Sequence, residues 1–412
     1  MQSDTQTRAD SISFRQLKLF ESIGRLKSVR KASDECNLSQ PAVTQALAKL
    51  EQQVGHTMVD RRASGSYLND FGDVFHVRVV RFFDHVEQAL TDLGVDGEPG
   101  TVKAVVKRMS RTQVRTLIGI VENGSFGDAA DALALSQTSL QRAVRDLESN
   151  LRKPLFYRTA AGTMITPEGI EFGRRMKLAL QEVEWGIREL DAMAGGFNSQ
   201  IVIGAMPFGG SVLLASVLDG FLHAHPNADV QIANGNASQM LKSLRAGDVD
   251  IVVGLLPDAL DVDLVSEAVA QTPYSIVARR GHPLLRKGQI TTADLLSYEW
   301  VVGNEGASRR ACFEQMFAGG VRPRVPITTC AFPVIRHLLA QSDRLTLMTS
   351  YELVHEGDNL HALPFGAIDP VPTIGIMMRS NWMPTSLHTN FIRIMRWHAA
   401  KASTRPVLTQ AG

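Results

Sequence analysis

Residues 135–169 read LSQTSLQRAVRDLESNLRKPLFYRTAAGTMITPEG, and residues 38–72 read LSQPAVTQALAKLEQQVGHTMVDRRASGSYLNDFG. The two stretches align without a gap, at an offset of 135 − 38 = 97 residues. Each keeps Leu-Ser-Gln at its start, Leu-Glu in its middle and Gly at its end. Extending the alignment backwards pairs 14–72 with 111–169, and 15 of those 59 positions are identical. A register held over that length indicates two copies of one domain.

Each copy is predicted to form three short helices followed by a β-hairpin. In the second copy the second helix is predicted at 126–133 and the third at 137–149. The basic stretch 153–166 fits a hairpin, with Gly162 at its tip. Serine hydroxyls that accept a backbone N–H are predicted to cap the second and third helices of the two copies. These serines are Ser28, Ser39, Ser125 and Ser136.

Charge is distributed unevenly along the 412 residues, although the whole chain has a formal net charge of only +1. Residues 12–72 carry nine Lys and Arg against six Asp and Glu, and 103–169 carry ten against six, which gives net charges of +3 and +4. Small basic domains on a neutral body are typical of proteins that bind DNA phosphates. An ordinary mixed-charge surface is the alternative that charge alone leaves open.

The third helix of each copy has one apolar face and one polar face. Val43, Leu47 and Leu50 form the apolar stripe of the first copy, and Leu140 and Val144 belong to that of the second. The opposite faces hold Gln, Thr and Arg, which can hydrogen-bond to the edges of adenine and guanine, and cations at the hairpin would meet phosphate. The residues predicted to contact DNA are Ser39, Gln40, Pro41, Thr44, Gln45, Lys49, Arg61, Arg62, Ser136, Gln137, Thr138, Gln141, Arg142, Arg145, Arg158 and Thr159. Any solvated helix carries such residues, so it is the duplication of helix, cap, turn and hairpin together that favours DNA reading.

Long amphipathic helices are predicted behind both hairpins, at 73–93 and 170–195. Their apolar stripes need a partner, and we expect the two helices to pack on each other within one chain. The stretch 94–107 between the copies begins with glycines, acids and a proline, which predicts a flexible linker. The first half of the chain is thereby divided into one domain at 12–72 and another at 108–169.

After residue 199 the pattern changes to alternating strands and helices. Strands at 201–204, 228–232 and 250–254 enclose helices, which predicts a βαβαβ unit with a parallel sheet. A second set of the same kind follows, with a strand beginning at Tyr274.

Two α/β lobes are therefore predicted within 199–400. One comprises about 199–270 and 366–400, and the other about 271–365. Ligands of such sheets normally bind in the cleft at the carboxyl ends of the strands.

The sequence LSQPAVTQALAKLE at 38–51 resembles the recognition helix of LysR-type transcriptional regulators. Further motifs carry the resemblance: GSF at 124–126, PLFYRT at 154–159, TPEG at 166–169, IGAMP at 203–207, LRAGDVD at 244–250 and GHPL at 281–284. The resemblance covers nearly the whole chain. It implies a multidomain protein with two α-rich winged helix-turn-helix domains and a two-lobed α/β effector-binding domain of the periplasmic-binding-protein type.

The resemblance implies a sequence-specific DNA-binding regulator of transcription whose promoter occupancy or DNA bending responds to a small-molecule inducer between the two lobes. The partners implied are double-stranded promoter DNA, that inducer, RNA polymerase and further copies of the chain in a homodimer or homotetramer. By motif, the inducer-contacting residues are Met206, Phe208, Ser211, Asn236, Ser238, Asn304, Ser308, Cys330, Phe332 and Pro333. The strand end at 204–207 is most similar to the subgroup associated with sugar and aromatic-acid metabolism.

The chain departs from the family pattern because ordinary members carry one DNA-binding domain. The first copy has MVDRR at 58–62 where the family has Leu-Phe-x-Arg-Thr, and the second has Thr138 where proline is usual and Gln141 where serine or threonine is usual. We therefore expect the two copies to prefer different DNA sequences. The alternative is that only the second copy reads DNA and the first is an interaction scaffold.

Other classes of protein find less support. An enzyme is disfavoured because the chain lacks HExxH, GxSxG and GxGxxG patterns. Three cysteines without metal-ligand spacing predict neither a zinc site nor a disulfide framework, and no cofactor is expected; they fit a reducing cytoplasm. A polar N-terminus and the lack of a run of about 18 apolar residues predict neither a signal peptide nor a membrane span, which disfavours a two-lobed solute-binding protein.

Overall fold

A computed structural model describes residues 4–62, 65–95, 101–160, 162–196, 199–206, 210–353, 356 and 359–403. The chain divides into two compact units, Met1–Asn198 and Ser199–Gly412. Each unit has its own apolar core.

The first unit contains two repeats whose elements begin 97 residues apart. The first repeat consists of α1 (Asp4–Ser11), α2 (Phe14–Leu26), α3 (Val29–Glu35), α4 (Gln40–Val54), β1 (Val59–Arg62), β2 (Gly65–Leu68) and α5 (Asp70–Asp92). The second consists of α6 (Thr101–Arg108), α7 (Arg111–Asn123), α8 (Phe126–Leu133), α9 (Gln137–Leu151), β3 (Phe156–Thr159), β4 (Gly162–Ile165) and α10 (Pro167–Met193). After α1 and α6, three helices and an antiparallel hairpin follow one another in both repeats, as the alignment predicts.

The four predicted serine caps are confirmed. Ser28 and Ser39 accept backbone N–H groups at the starts of α3 and α4. Ser125 and Ser136 do the same for α8 and α9. Each hydroxyl satisfies a donor that the helix itself cannot pair, which is why the helices begin at these residues.

The prediction of a flexible linker over 94–107 is wrong from residue 101 onwards, because α6 occupies Thr101–Arg108. Val105 and Val106 are buried there, and α6 packs against α5 of the other repeat. The stretch contains a short apolar stripe that its overall composition does not indicate, and the segment is stabilised as a helix by this packing. Residues 96–100 lie outside the described part of the chain.

The pairing of the two long helices within one chain is confirmed. Helix α5 packs along α10 in the core of the first unit. Gly186 on α10 allows the close approach of Phe75, because a Cβ at residue 186 would lie 2.8 Å from a Phe75 ring carbon. The helix α1 of the first repeat reaches α10 of the second, where Arg8 Nη1 donates to Asp191 Oδ2 at 2.8 Å. Because α6 packs on α5 and α1 on α10, the two repeats are related by an approximate twofold axis.

The second unit has two lobes. Its elements are β5 (Ser199–Ala205), α11 (Gly210–Ala224), β6 (Ala228–Asn234), α12 (Ala237–Ala246), β7 (Ile251–Leu255), β8 (Leu264–Gln271), β9 (Tyr274–Arg279), α13 (Thr292–Leu296), β10 (Val301–Val302), α14 (Ser308–Met316), β11 (Ile327–Thr328), α15 (Phe332–Ala340), β12 (Thr346–Thr349), α16 (Ser350–Leu353), β13 (Leu360–Ala362), β14 (Thr373–Arg379) and α17 (Ser386–Ser403). One sheet has the strand order β6-β5-β7-β14-β8. The other lobe contains β12-β9-β13 and β10-β11.

The parallel βαβαβ arrangement is confirmed for β5, β6 and β7. The same prediction is only partly right for the second set, because β9 pairs antiparallel with both β12 and β13. The strands β10 and β11 are parallel. Strand periodicity reports which residues are buried but not the direction of a neighbour, so the sequence pattern could not distinguish these pairings.

Candidate nucleic-acid interface and effector cleft

The polar faces of α4 and α9 are exposed because their apolar faces are anchored in the core. Val43, Leu47 and Leu50 are buried on α4, and Leu140 and Val144 are buried on α9. The predicted DNA-contacting residues of these helices are all exposed: Gln40, Pro41, Thr44, Gln45 and Lys49 on α4, and Gln137, Thr138, Gln141, Arg142 and Arg145 on α9. Two equivalent sets of polar side chains, one on α4 and one on α9, are therefore exposed on the surface of the first unit and available to a ligand.

The two helix faces differ in charge. Helix α9 presents Arg142 and Arg145, and in the described part of the chain neither guanidinium has a carboxylate within salt-bridge distance. The equivalent positions on α4 hold Gln45 and Ala48, so Lys49 is its one cation on this face. The second repeat can accordingly offer two charged bidentate donors, and the first offers mainly neutral amides.

Ser39 and Ser136 act as helix caps. Ser39 Oγ accepts the N–H of Ala42 at 3.4 Å, and Ser136 Oγ accepts the N–H of Ser139 at 3.2 Å. Ser136 Oγ also lies 3.0 Å from the hydroxyl of Thr138. Both serines are exposed, so they fix the start of the helix and still face solvent.

The hairpins supply the remaining predicted residues. Arg158 and Thr159 are exposed on β3, and Thr159 Oγ1 donates to the carbonyl oxygen of Gly162 at 2.9 Å across the turn. Arg61 and Arg62 belong to β1, but their side chains lie outside the described residues.

In each repeat, a glutamate of the recognition helix accepts hydrogen bonds from the backbone of the hairpin. The sequence did not predict this role. Glu51 Oε1 accepts the backbone N–H groups of Met58 at 2.7 Å and Val59 at 3.1 Å. Glu148 Oε1 makes the equivalent bonds to the residues that precede and begin β3, at the same two distances. The Leu-Glu pair that both copies keep was the available signal. One side chain thereby fixes where the hairpin lies relative to the helix.

The predicted inducer-contacting residues of the first lobe follow β5 and β6. Met206 is buried directly after β5. Asn236 caps α12, with its Oδ1 accepting the N–H of Gln239 at 2.9 Å, and Ser238 is exposed in the first turn of that helix. Because β5 and β6 are parallel, these residues share one edge of the sheet. Phe208 lies outside the described residues, and Ser211 is in α11 with its side chain undescribed.

The residues of the second lobe meet in the same way. Asn304 follows β10 and Cys330 follows β11, and the backbone N–H of Asn304 donates to Cys330 Sγ at 3.4 Å. Phe332 and Pro333 begin α15 directly after them. In each lobe the described members of the predicted set therefore follow the carboxyl ends of parallel strands, where α/β folds bind ligands.

Ser308 has a partner that the sequence did not reveal. Its hydroxyl lies 3.0 Å from the hydroxyl of Tyr274, which begins β9. Burial raises the pKa of Tyr274 to about 12, so the phenol stays protonated and can donate. The described residues contain no group of three or more His, Cys, Asp or Glu arranged to hold a metal ion. They also contain no helix long and apolar enough to cross a membrane.

Helix-turn-helix repeats with hairpins, joined in sequence to a two-lobed α/β unit, define a ligand-responsive DNA-binding regulator. Sequence profiles identify the family. The LysR substrate binding domain matches residues 194–400, and the lysR-family bacterial regulatory helix-turn-helix protein matches twice, at 14–73 and 112–170. The chain therefore belongs to the LysR family of transcriptional regulators: it binds promoter DNA under the control of a small-molecule effector, and its relatives are regulators rather than enzymes.

Individual relatives agree with this assignment. The HTH-type transcriptional regulator GalR of Pseudomonas putida is 29% identical over 371 residues, which is 89% of this chain and 92% of that protein. The regulator GbpR of Rhizobium radiobacter is 28% identical over 223 residues, 53% of this chain and 74% of that protein. A full-length OxyR variant from Pseudomonas aeruginosa has the same fold over 70% of this chain and 93% of its own, with a TM-score of 0.51 at 19% identity.

Proposed function

We propose that a single chain reads two unlike half-sites in double-stranded promoter DNA, one with each repeat, under the control of a small molecule bound in the cleft of the second unit. The observation that carries the proposal is the pairing of α5 with α10 within one chain, with α4 and α9 both left exposed. Two reading helices related by an approximate twofold axis suit two half-sites in successive turns of one DNA face.

The chemistry of the two faces predicts the difference between the half-sites. Gln40 and Gln45 can each donate to and accept from adenine, whereas Arg142 and Arg145 can each donate twice to guanine. Lys49, Arg61, Arg62 and Arg158 would contact phosphate and hold the register. The first repeat should therefore prefer an A·T-rich half-site and the second a half-site with guanine.

The test compares matched double variants of the full-length protein on promoter DNA. We expect R142A/R145A to weaken binding by about 10- to 100-fold per lost base contact, and to relax preference in one half-site only. Q40A/Q45A should weaken binding and relax preference in the other half-site. R322A, which removes an exposed arginine of the second unit, is the control for a general loss of charge.

The outcomes separate the two versions of the function. A Q40A/Q45A protein with unchanged affinity and an unchanged DNase footprint would mean that the first repeat is a scaffold and only the second reads DNA. Protection of a single half-site by the unaltered protein would lead to the same conclusion.

For the cleft, we infer that the effector contacts Met206, Phe208, Ser211, Asn236 and Ser238 in one lobe, and Asn304, Ser308, Cys330, Phe332 and Pro333 in the other. Support comes from the carboxyl-edge positions of the described members of this set. Neutral hydrogen-bonding groups beside apolar surface suit a sugar or an aromatic acid, and calorimetric titration with panels of both classes tests this. The regulator would act in the cytoplasm as a homodimer or homotetramer and could contact RNA polymerase. Footprints with and without effector test whether the ligand changes occupancy or bending.

A further inference from the structure

One contact marks the axis that relates the two repeats. His85 on α5 and Glu182 on α10 are equivalent residues, since 85 + 97 = 182. Their side chains meet across the helix pair, with His85 Nε2 at 3.4 Å from Glu182 Oε1. Equivalent residues can touch each other only next to the axis that exchanges them, so the approximate twofold axis passes between His85 and Glu182.

The charges around this axis are not symmetric. Arg78 Nη1 donates to Glu182 Oε2 at 2.8 Å, and Arg81 Nε donates to Glu182 Oε1 at 2.9 Å. Glu182 and Arg78 are both fully buried. Burial would raise the pKa of Glu182, but the hydrogen bond with His85 and the charges of Arg78 and Arg81 outweigh it and hold the pKa below the ordinary value. All the cations of this centre are on α5, and the central carboxylate is on α10.

The outer ion pairs of the same interface are symmetric. Arg78 also donates to Glu189 at 2.8 Å, and at the equivalent place Arg175 of α10 pairs with Asp92 of α5. An arginine and an acid recur at these two positions of both helices, because 78 + 97 = 175 and 92 + 97 = 189. The outer pairs would therefore form in any combination of the two helices and cannot select a partner.

A pair of two α10 helices from two copies would bring two Glu182 carboxylates together at the axis. The position that holds Arg81 on α5 holds Leu178 on α10, so one cation per carboxylate would be missing. Burying two carboxylates face to face without those cations is strongly unfavourable.

A pair of two α5 helices has no carboxylate at its centre. The place of Glu182 would hold a second His85, so Arg78 and Arg81 of both helices would lose the carboxylate that they share in the observed pair.

We propose that Glu182 and its three partners on α5, which are Arg78, Arg81 and His85, make this helix pair selective for unlike partners, so that α5 joins α10 and neither helix joins its own counterpart in a second copy. The two helices belong to one chain, which keeps them at high effective concentration and favours their pairing within that chain. Each repeat thus finds its partner repeat within the same chain, and the two repeats are always present in a one-to-one ratio.

Cysteine reporters distinguish the possible pairs in the full-length protein. Asp92 and Arg175 touch only when α5 meets α10, so D92C/R175C joined by a short bismaleimide reports the unlike pair. The background is C36S/C330S, because these two native cysteines are partly exposed whereas Cys312 is buried. On a denaturing gel we expect a product joined within one chain.

A matched reporter detects the rejected pair. In R175C/E189C the two cysteines lie on one helix, about 21 Å apart along its axis, too far to join each other. They meet only if two α10 helices from two copies pair, so we expect no dimeric product from this variant. A dimer as abundant as the D92C/R175C product would overturn the proposal.

Charge reversal then tests the charged centre around Glu182. The readout is the amount of within-chain product formed by the D92C/R175C reporter. The four charges of Arg78, Arg81, Glu182 and Glu189 sum to zero, R81E makes the sum −2 and E182R makes it +2. Each single variant should lower the within-chain product on the order of tenfold or more. R81E/E182R restores the sum to zero, and we expect it to recover the product.

Mixing keeps the test decisive where single variants fold poorly. When R81E and E182R chains are co-expressed, only exchange of helices between chains restores both centres, so we expect a product joined between chains that the unaltered protein does not give. Single variants that cross-link like the unaltered chain, or a double variant no better than either single, would refute the role of this centre. A failure of DNA binding with intact cross-links would bear on the proposed function alone.

Discussion

The glycine at the start of each long helix provides a sharp test of how the recognition helix is held. Gly72 packs against the backbone that leads into β1: a Cβ at residue 72 would lie 2.1 Å from the carbonyl oxygen of Met58. Neither atom can rotate away, because both are fixed to backbone. The carbonyl also accepts the N–H of Asn69 at 3.1 Å, and the Met58 side chain is fully buried, so moving it disturbs the core as well.

The magnitude for Gly72→Ala follows from these contacts. Forcing apart a packed contact costs about 1–3 kcal/mol, and losing the hydrogen bond adds about 1 kcal/mol. The better helix propensity of alanine returns about 1 kcal/mol. We expect a net local loss of about 2 kcal/mol, seen as a roughly thirtyfold faster amide exchange in peptides that cover β1, β2 and the start of α5.

Two matched variants complete the experiment. Gly169→Ala in the second repeat should be milder, because its Cβ would lie 2.7 Å from the carbonyl oxygen of Leu155. Gly127→Ala is the control: its nearest neighbour is a flexible side-chain atom of Gln137 at 3.4 Å, so we expect stabilisation of about 0.5–1 kcal/mol. Exchange in Gly72→Ala that matches the unaltered protein within about twofold, or equal losses in Gly72→Ala and Gly127→Ala, would refute the packing argument.

Two further predictions concern carboxylates. Glu148→Ala removes the acceptor of the N–H groups of Leu155 and Phe156. We expect β3 and β4 to lose about 2 kcal/mol of local stability, measured as faster amide exchange, and Glu148→Gln, which keeps an acceptor oxygen, to lose less. Glu182 has a lowered pKa in the folded chain, so it binds fewer protons folded than unfolded. Its stabilising contribution is complete above about pH 4.5 and is lost as the pH falls through that value towards the folded pKa. We therefore expect α5 and α10 to lose protection against amide exchange below pH 4.5. Glu182→Gln has no carboxyl at this position and should lack that pH-dependent loss.

The local elements could be predicted from sequence because their signals are local. The serine caps, the helix periods and the hairpin glycines each act within a few residues, and the 97-residue offset doubled every signal. The helices α1 and α6 could not be predicted in this way. They are stabilised by packing on α10 and α5 of the opposite repeat, and their aligned sequences, DTQTRADS and TVKAVVKR, share no residue in register.

The charged centre of the helix pair escaped prediction for a similar reason. Arg78 and Glu182 are 104 residues apart, and a charged residue within an amphipathic helix is usually assigned to the solvated face. Only the axis between the repeats brings them together. The direction of the strands paired with β9 likewise depends on how distant parts of the chain return to one sheet, which no local pattern encodes.

The backbone also argues that neither repeat is merely a degraded copy. The helices α2 and α4, and their equivalents α7 and α9, each end with a residue in the left-handed conformation, which glycine adopts freely and other residues adopt at a cost of about 1 kcal/mol. The equivalent pairs are Lys27 with Gly124, and Gly55 with Arg152. A third equivalent pair, Asn37 and Ala134, is left-handed without glycine in either repeat, so at these three positions each repeat has one glycine and two other residues in this conformation.

The scaffold that holds the recognition helix is equally intact in both repeats. Glu51 makes its two bonds at the same distances as Glu148, although the first repeat has lost the family motif at the residues that receive them. A copy kept only as a spacer has no need to hold a hairpin at a fixed place beside an exposed polar helix. Side chains on the outer face differ between the repeats while the supports beneath them are the same, which is what our proposal of two readers with different DNA preferences requires.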